Sequence, residues 1–275
     1  MQGTLEALAK GPGLKTVALT PGDADFSPGP IRFSFLVVAS DGRLVSKPKA
    51  DVWIARGYKR KPYQRTTARL ETVGPSRRSS DSSLAIPSIY VAHFRAPGPG
   101  TYWVLARPEG ARISGVGNVV VRRRSYSPAV GAKAPASHTP TLATTASRLA
   151  PLTTAVHPDR RLYTTSVAQA LSAHAPFVVT FATPKFCTSR TCGPVVDVVS
   201  DVRKQLSDTA VRFIHVEVYA GNDPARGYNR WMREWGLQSE PWVFLVGRDG
   251  RIKAKLEGPV SARELRAAVE SKLVD

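Results

Sequence analysis

Cys187 and Cys192 are the two cysteines of the 275-residue chain, separated by Thr188, Ser189, Arg190 and Thr191. A four-residue spacer closes a disulfide when a loop or one helical turn brings the Cα atoms near enough. A second thiol within reach also lets a mixed disulfide form and be released. Gly193 and Pro194 follow, and Pro194–Leu206 has helical period, with Pro194 suited to the first turn. A cysteine at a helix start faces unpaired backbone N–H groups and the positive end of the helix dipole, which favours thiolate over thiol. Arg190 acts in the same direction if it points inward. The residues alone leave two uses open: a working redox pair, or a fixed disulfide that pins the loop to the helix.

Elements that would position this pair surround it. Ser166–Ala173 has helical spacing, and Phe177–Thr183 is a continuous apolar run of the kind a buried central strand needs. Val211–Tyr219 reads as a strand carrying His215 and Glu217, the latter a buried-acid candidate. Asn229–Trp235 reads as a helix stopped by Gly236. Trp242–Val246 and Arg251–Glu257 form a hairpin around Asp249-Gly250, and Ser261 with Glu264 makes a capping-box arrangement before a last helix. The order is β-α-β-α-β-β-α.

The first part has another character. Leu14–Thr20, Ile31–Ala39, Asp51–Arg56, Gln64–Val73, Ser88–Arg95, Thr101–Arg107 and Ile113–Arg122 read as strands separated by Gly, Pro and Ser turns, which predicts an all-β sandwich with Trp53 and Trp103 in its core. Ser125–Thr154 is rich in Ala, Pro, Ser and Thr and poor in aromatics, a linker composition. The predicted organisation is a β-sandwich over residues 1–124, a linker over 125–160 and an α/β domain over 161–275.

The second part resembles the thioredoxin family over roughly 100 residues. The resemblance rests on FVVTFATPKFC running into Cys187, on Cys192-Gly193-Pro194, on Ser239-Glu240-Pro241-Trp242 where that family keeps a cis-proline, and on the Gly-Arg-Asp-Gly hairpin. It implies an α/β thioredoxin fold, a thiol–disulfide oxidoreductase-like activity at Cys187 and Cys192, support from Arg190, Gly193 and Pro194, and a substrate groove at Glu240 and Pro241. The chain departs from the family in its four-residue spacer, in Val195 at the usual second-cysteine place and in Thr180 at the usual buried-acid place. Which cysteine is the nucleophile stays open. Copper chaperones of the Sco type offer a second resemblance, implying a metal set of Cys187, Cys192 and His215. Two thiolates and an imidazole suit Cu(I), although a histidine on a core strand is more commonly structural. In the first part, Gly100-Thr101-Tyr102 resembles the penultimate strand of immunoglobulin-like domains. The FATP-x-x-C-x4-CGPV segment is similar to two-domain thioredoxin-family proteins of high-GC bacteria, which implies an extracytoplasmic place: periplasmic, in the cell wall or membrane-anchored outside.

Composition narrows the rest. The chain is 42% hydrophobic and 22% charged, enough apolar residue for a core, with a net charge of +18 that leans to the N-terminal half. That excess favours an acidic or envelope partner, while no nucleic-acid-binding motif directs it at DNA or RNA. No apolar window is long enough to span a membrane, and residues 1–12 do not read as a leader, so a cytosolic place stays open as well. His93, His138, His157 and His174 have no ligand spacing, and no Ser-His-Asp set, phosphate-binding loop or zinc cluster is visible. No cofactor is expected. The expected partners are protein thiols and disulfides. The rival reading is a redox-silent binding or scaffold protein with a structural disulfide.

Overall fold

The structure, a computed structural model, describes residues 3–74, 87–187 and 192–274. The chain divides into two compact units. The first comprises residues up to Thr72 together with Ser88–Ser125; the second includes Tyr126–Asp275.

Seven strands build the first unit: β1 (Lys15–Pro21), β2 (Gly29–Val38), β3 (Lys49–Ala55), β4 (Gln64–Thr72), β5 (Ser88–Ala96), β6 (Gly100–Pro108) and β7 (Ile113–Val121). They close into one barrel in the order β1-β2-β5-β4-β3-β6-β7. The closing contact is a parallel pairing of β1 with β7, Lys15 opposite Ile113 and Ala18 opposite Val116. Alternation along β2 sends Ile31, Phe33, Phe35 and Val37 into the barrel. There Phe33 stacks on Phe35 at 5.1 Å and Phe35 on Tyr90 at 5.3 Å. A short helix, α1 (Leu5–Ala9), capped by Thr4, covers Trp53, Ala55 and Leu105 on the outside. Trp53 therefore packs beneath α1, and Trp103 lies against Tyr58 at 5.1 Å; the sequence placed both in a sandwich core, and they belong to this outer cluster rather than to the barrel interior.

The second unit holds β8 (Phe177–Phe181), β9 (Arg212–Val216), β10 (Trp242–Val246) and β11 (Ile252–Glu257) in the order β11-β10-β8-β9. β8 and β9 run parallel, and β10 is antiparallel to both β8 and β11. Helices α3 (Cys192–Gln205) and α5 (Ala262–Lys272) cover one face through Val195, Val198, Val199, Val202, Leu265 and Val269. Five valines in α3 are poor helix formers; their burial against Val178 and Val243 outweighs that preference. The short helices α2 (Val167–Ser172) and α4 (Arg230–Glu234) cover the other face with Val167, Ala170 and Met232, beside the buried Trp235. β8, enclosed on both faces, is buried at all five positions, as its continuous apolar run requires.

The expected fold class is thus corrected. A closed barrel replaces the immunoglobulin-like sandwich. The second unit is a four-stranded mixed sheet with few helices, two of them only six and five residues long, and does not make a clear α/β thioredoxin fold. The Pro/Ala/Thr-rich segment is also more than a spacer, since from Tyr126 on it belongs to the second unit. Lys133 bridges to Arg251, Ser137 accepts a hydrogen bond from the Trp235 indole at 3.1 Å, and Asp159 pairs with Arg203 at 2.7 Å. No helix among the described residues is long and apolar enough to cross a membrane.

Barrel closure leaves no room for a side chain at Gly117, where a Cβ would lie 2.5 Å from the Leu19 carbonyl oxygen. Gly117→Ala should destabilise the barrel by about 1–3 kcal/mol, read as a fall of several degrees in its thermal midpoint. Gly98→Ala, at a site with nothing within 4 Å, should leave the midpoint in place. Equal midpoints for the two variants would contradict this account of closure.

Candidate functional site

The site lies where the chain leaves β8 and enters α3. Lys185 N–H donates to Thr154 Oγ1 at 3.1 Å in the turn that delivers Cys187, and Cys192 is the first residue of α3. The Cys192 backbone N–H donates to Cys187 Sγ at 3.3 Å. One of the orphan donors of the helix start thereby points at sulfur. Both cysteines are thiols, at different depths: Cys187 is half-buried, whereas Cys192 is fully enclosed among Val195, Val196 and neighbouring core residues. Burial, followed by the hydrogen bond to Cys187, pushes the Cys192 thiol strongly up in pKa. Arg190 lies outside the described residues. Gly193 and Pro194 form the first turn of α3, where a missing proline N–H costs no helical hydrogen bond.

Glu240 is the third group. One of its carboxylate oxygens and the sulfurs of Cys187 and Cys192 all lie within 4.8 Å of one another. Its loop is tied down on both sides. Ser239 Oγ donates to Glu257 Oε1 at 2.5 Å and accepts from Trp242 Nε1 at 3.1 Å; the Gly258 N–H donates to the Pro241 carbonyl at 2.8 Å. The Glu240–Pro241 peptide is cis. Tyr219 donates its hydroxyl to Glu240 Oε1 at 3.3 Å, and its ring stacks on Tyr228 at 5.5 Å. Glu240 Oε2 is buried with no hydrogen-bond partner among the described residues. Burial and then the charge of Cys187 push the carboxyl up to about 7, against the opposing pull of the Tyr219 and Cys192 donors. Burial and the neighbouring Glu240 in turn push Tyr219 up to about 12.

His215 is engaged elsewhere. Its Nδ1 pairs with the Tyr163 hydroxyl at 2.8 Å and its Nε2 with the Ala182 carbonyl at 3.0 Å. A carbonyl only accepts, so Nε2 carries the proton and Nδ1 accepts from tyrosine. The set of Cys187, Cys192 and His215 is therefore corrected: the carboxylate of Glu240, and not the imidazole, stands with the two sulfurs. Glu217 is buried as a stand-in acid would be, but its Oε1 accepts from the Thr154 N–H at 2.6 Å and hydroxyl at 2.7 Å, fastening the 126–160 segment to the sheet. Thr180, at the usual acid place, is buried with its hydroxyl unpartnered among the described residues, as are Thr183 Oγ1 and Glu217 Oε2.

Sequence reading missed Tyr219, Tyr228 and Thr154. Tyr219 ends an apolar run and Tyr228 precedes a helix, and only the backbone bridge between them brings the rings together. Glu240 was visible as the residue before the proline, not as an acid beside the sulfurs. An acid set between a serine and an X-Pro-Trp strand entry was the one available signal.

No family model matches the chain, and no curated protein matches it. Among solved structures it is similar to a thiol:disulfide interchange protein, a thioredoxin family protein from Chlorobium tepidum TLS, at 15% identity. The likeness covers 38% of this chain and 83% of that one, with a TM-score of 0.31.

Complete burial lowers the pKa of His215 below its ordinary 6.5, the nearby Glu217 opposing it. The unfolded state therefore binds the extra proton first, and the contribution of neutral His215 is lost as pH falls below about 6.5. His215→Gln keeps one donor for Ala182 and one acceptor for Tyr163 but cannot titrate. The stability difference between wild type and His215→Gln in urea should change between pH 7.5 and 5.5, moving against wild type on acidification. A difference constant over that range would show that His215 does not carry this linkage.

Proposed function

We propose that the second unit carries out thiol–disulfide exchange with protein partners, with Cys187 as nucleophile and Cys192 as resolving thiol. The observation that carries this reading is the asymmetry of the pair. Cys187 is reachable and receives a backbone N–H at sulfur, whereas Cys192, the first residue of α3, is enclosed. Donation to sulfur favours the thiolate, the nucleophilic form.

In the first step the Cys187 thiolate attacks one sulfur of a partner disulfide. A Cys187–partner bond forms, the partner S–S bond breaks and the partner's second sulfur leaves as thiolate. In the second step Cys192 attacks Cys187 Sγ, the Cys187–Cys192 disulfide forms and the partner's remaining sulfur departs. The proton given up by Cys192 goes to the departing thiolate. The partner disulfide gains two electrons and the cysteine pair loses two. The same steps run backwards when the pair is oxidised, and the relative potentials of partner and pair set the direction. Pro241 has no N–H to compete for the sulfurs, and the Glu240–Pro241 turn borders the place where a partner chain docks. In the forward direction the pair ends oxidised and must be re-reduced; an extracytoplasmic, oxidising setting suits the reverse direction, in which the pair ends as a dithiol and is re-oxidised.

Trapping tests the assignment. With a small reporter disulfide, Cys192→Ser should accumulate a stable mixed disulfide at Cys187, while wild type passes on to the internal disulfide. Cys187→Ser should slow exchange by about 10²-fold or more, the scale expected when a nucleophile is removed. Exchange by Cys187→Ser as fast as wild type would reverse the roles. A wild type that loses stability on reduction yet exchanges with nothing would make the pair a structural staple.

A further inference from the structure

The dithiol form of this site holds a set of three donors of which thiol exchange uses only the two sulfurs. Two sulfurs and a carboxylate oxygen lie within 4.8 Å of one another. Cys192 is the first residue of α3, Cys187 lies between β8 and that helix, and the carboxylate comes from the loop entering β10, so the set joins separately anchored segments. A tetrahedral zinc ion with Zn–S of about 2.3 Å and Zn–O of about 2.1 Å places its donors roughly 3.5–3.8 Å apart. The trio needs to contract by roughly 1.3 Å at most to reach those separations.

Two features mark the trio as more than neighbours. Glu240 Oε2 is an enclosed acceptor with no donor among the described residues. Such an atom is costly to leave unmatched, a cost that a bound cation removes. The donors are also supported from behind, with the Cys192 N–H on Cys187 Sγ and the Tyr219 hydroxyl on Glu240 Oε1. Metal ligands need such outer hydrogen bonds to fix their orientation.

We infer that the reduced Cys187–Cys192–Glu240 set binds a thiophilic divalent cation of the zinc class, through two thiolates and one carboxylate. Chemistry selects the ion. Mg²⁺ and Ca²⁺ take oxygen donors and are poorly served by two sulfurs. Cu(I) prefers an all-soft set, and the imidazole that would complete one is committed to Tyr163 and Ala182. Zn²⁺ accepts cysteine and carboxylate together. Binding displaces the thiol protons to solvent and changes no oxidation state. The bound ion occupies both sulfurs, so metal capture and disulfide exchange exclude each other. The inference needs only the dithiol form and stands whether or not the pair exchanges with partners.

Cobalt(II) serves as a spectroscopic probe for zinc. The reduced full chain, titrated anaerobically with Co²⁺, should take up one equivalent with a thiolate-to-cobalt charge-transfer band and the intense visible bands of a tetrahedral ion. Zn²⁺ should bleach those bands by displacement. Pre-oxidised protein should show neither. Glu240→Gln should weaken Co²⁺ binding by at least the roughly 10–100-fold that loss of an outer-shell partner already costs, and Cys192→Ser should abolish the charge-transfer band. Circular dichroism checks that each variant is folded. In wild type, with no variant involved, Zn²⁺ should slow alkylation of Cys187, and a chelator should restore it. Absence of the charge-transfer band, or Glu240→Gln binding Co²⁺ as tightly as wild type, would overturn the three-donor site. Mixed-disulfide trapping run in chelator on metal-free protein reads the exchange reaction separately.

Discussion

The interaction on which the site depends is the hydrogen bond from the first backbone N–H of α3 to Cys187 Sγ. A helix start leaves donors without intrahelical partners, and this one is answered by a sulfur. One cysteine sits at the rim and the other inside the core, so the two thiols are chemically unequal although both belong to one short segment. The valines of α3 hold the helix against β8 and β10, so the donor stays where the sulfur needs it. Without that packing the helix, rich in β-branched residues, would have little reason to form.

Around this bond the second unit concentrates groups that are expensive to bury. Thr180, Thr183, Glu217 and Glu240 each leave one buried oxygen unmatched among the described residues. Unmatched polar atoms are rare in folded proteins, and each of these calls for a partner. Glu240 is the sharpest case. Its loop is fastened by Ser239, Trp242 and Gly258, one oxygen is held by Tyr219, and the other faces no donor. The segment between the barrel and the sheet contributes as well, through Thr154 on Glu217 and Asp159 on Ser200 and Arg203.

Most strands were legible because alternation and apolar runs are local properties. Phe177–Thr183 had to be a buried strand, and Ser261 with Glu264 had to start a helix. Closure of the barrel was not legible. Alternation along β2 or β6 is the same whether the strands face a second sheet or curl on themselves, and the deciding event is a parallel pairing of β1 with β7, nearly a hundred residues apart. The narrow Gly117 was a hint that β1 and β7 approach closely, but a strand glycine has several meanings. Residues 126–160 looked like a linker because they lack apolar density. They are held by hydrogen bonds, by the Asp159–Arg203 ion pair and by a few core side chains such as Leu152 and Ala134, which composition does not reveal. At the site, Cys187, Cys192 and Glu240 were all visible in the sequence. Their unequal depth was not, since burial of Cys192 follows from α3 packing rather than from its neighbours in the chain. His215 was a plausible ligand by position alone, until its two nitrogens were accounted for.

The central claim is that one thiol of the pair is poised for attack and the other is withheld. Alkylation of the reduced, metal-free wild type with iodoacetamide, quenched at intervals and mapped by peptide mass, reads this directly. Modification should appear first at Cys187, with Cys192 labelled only as the protein unfolds. Labelling of Cys192 first, or of both thiols at the same rate in the folded protein, would contradict the account.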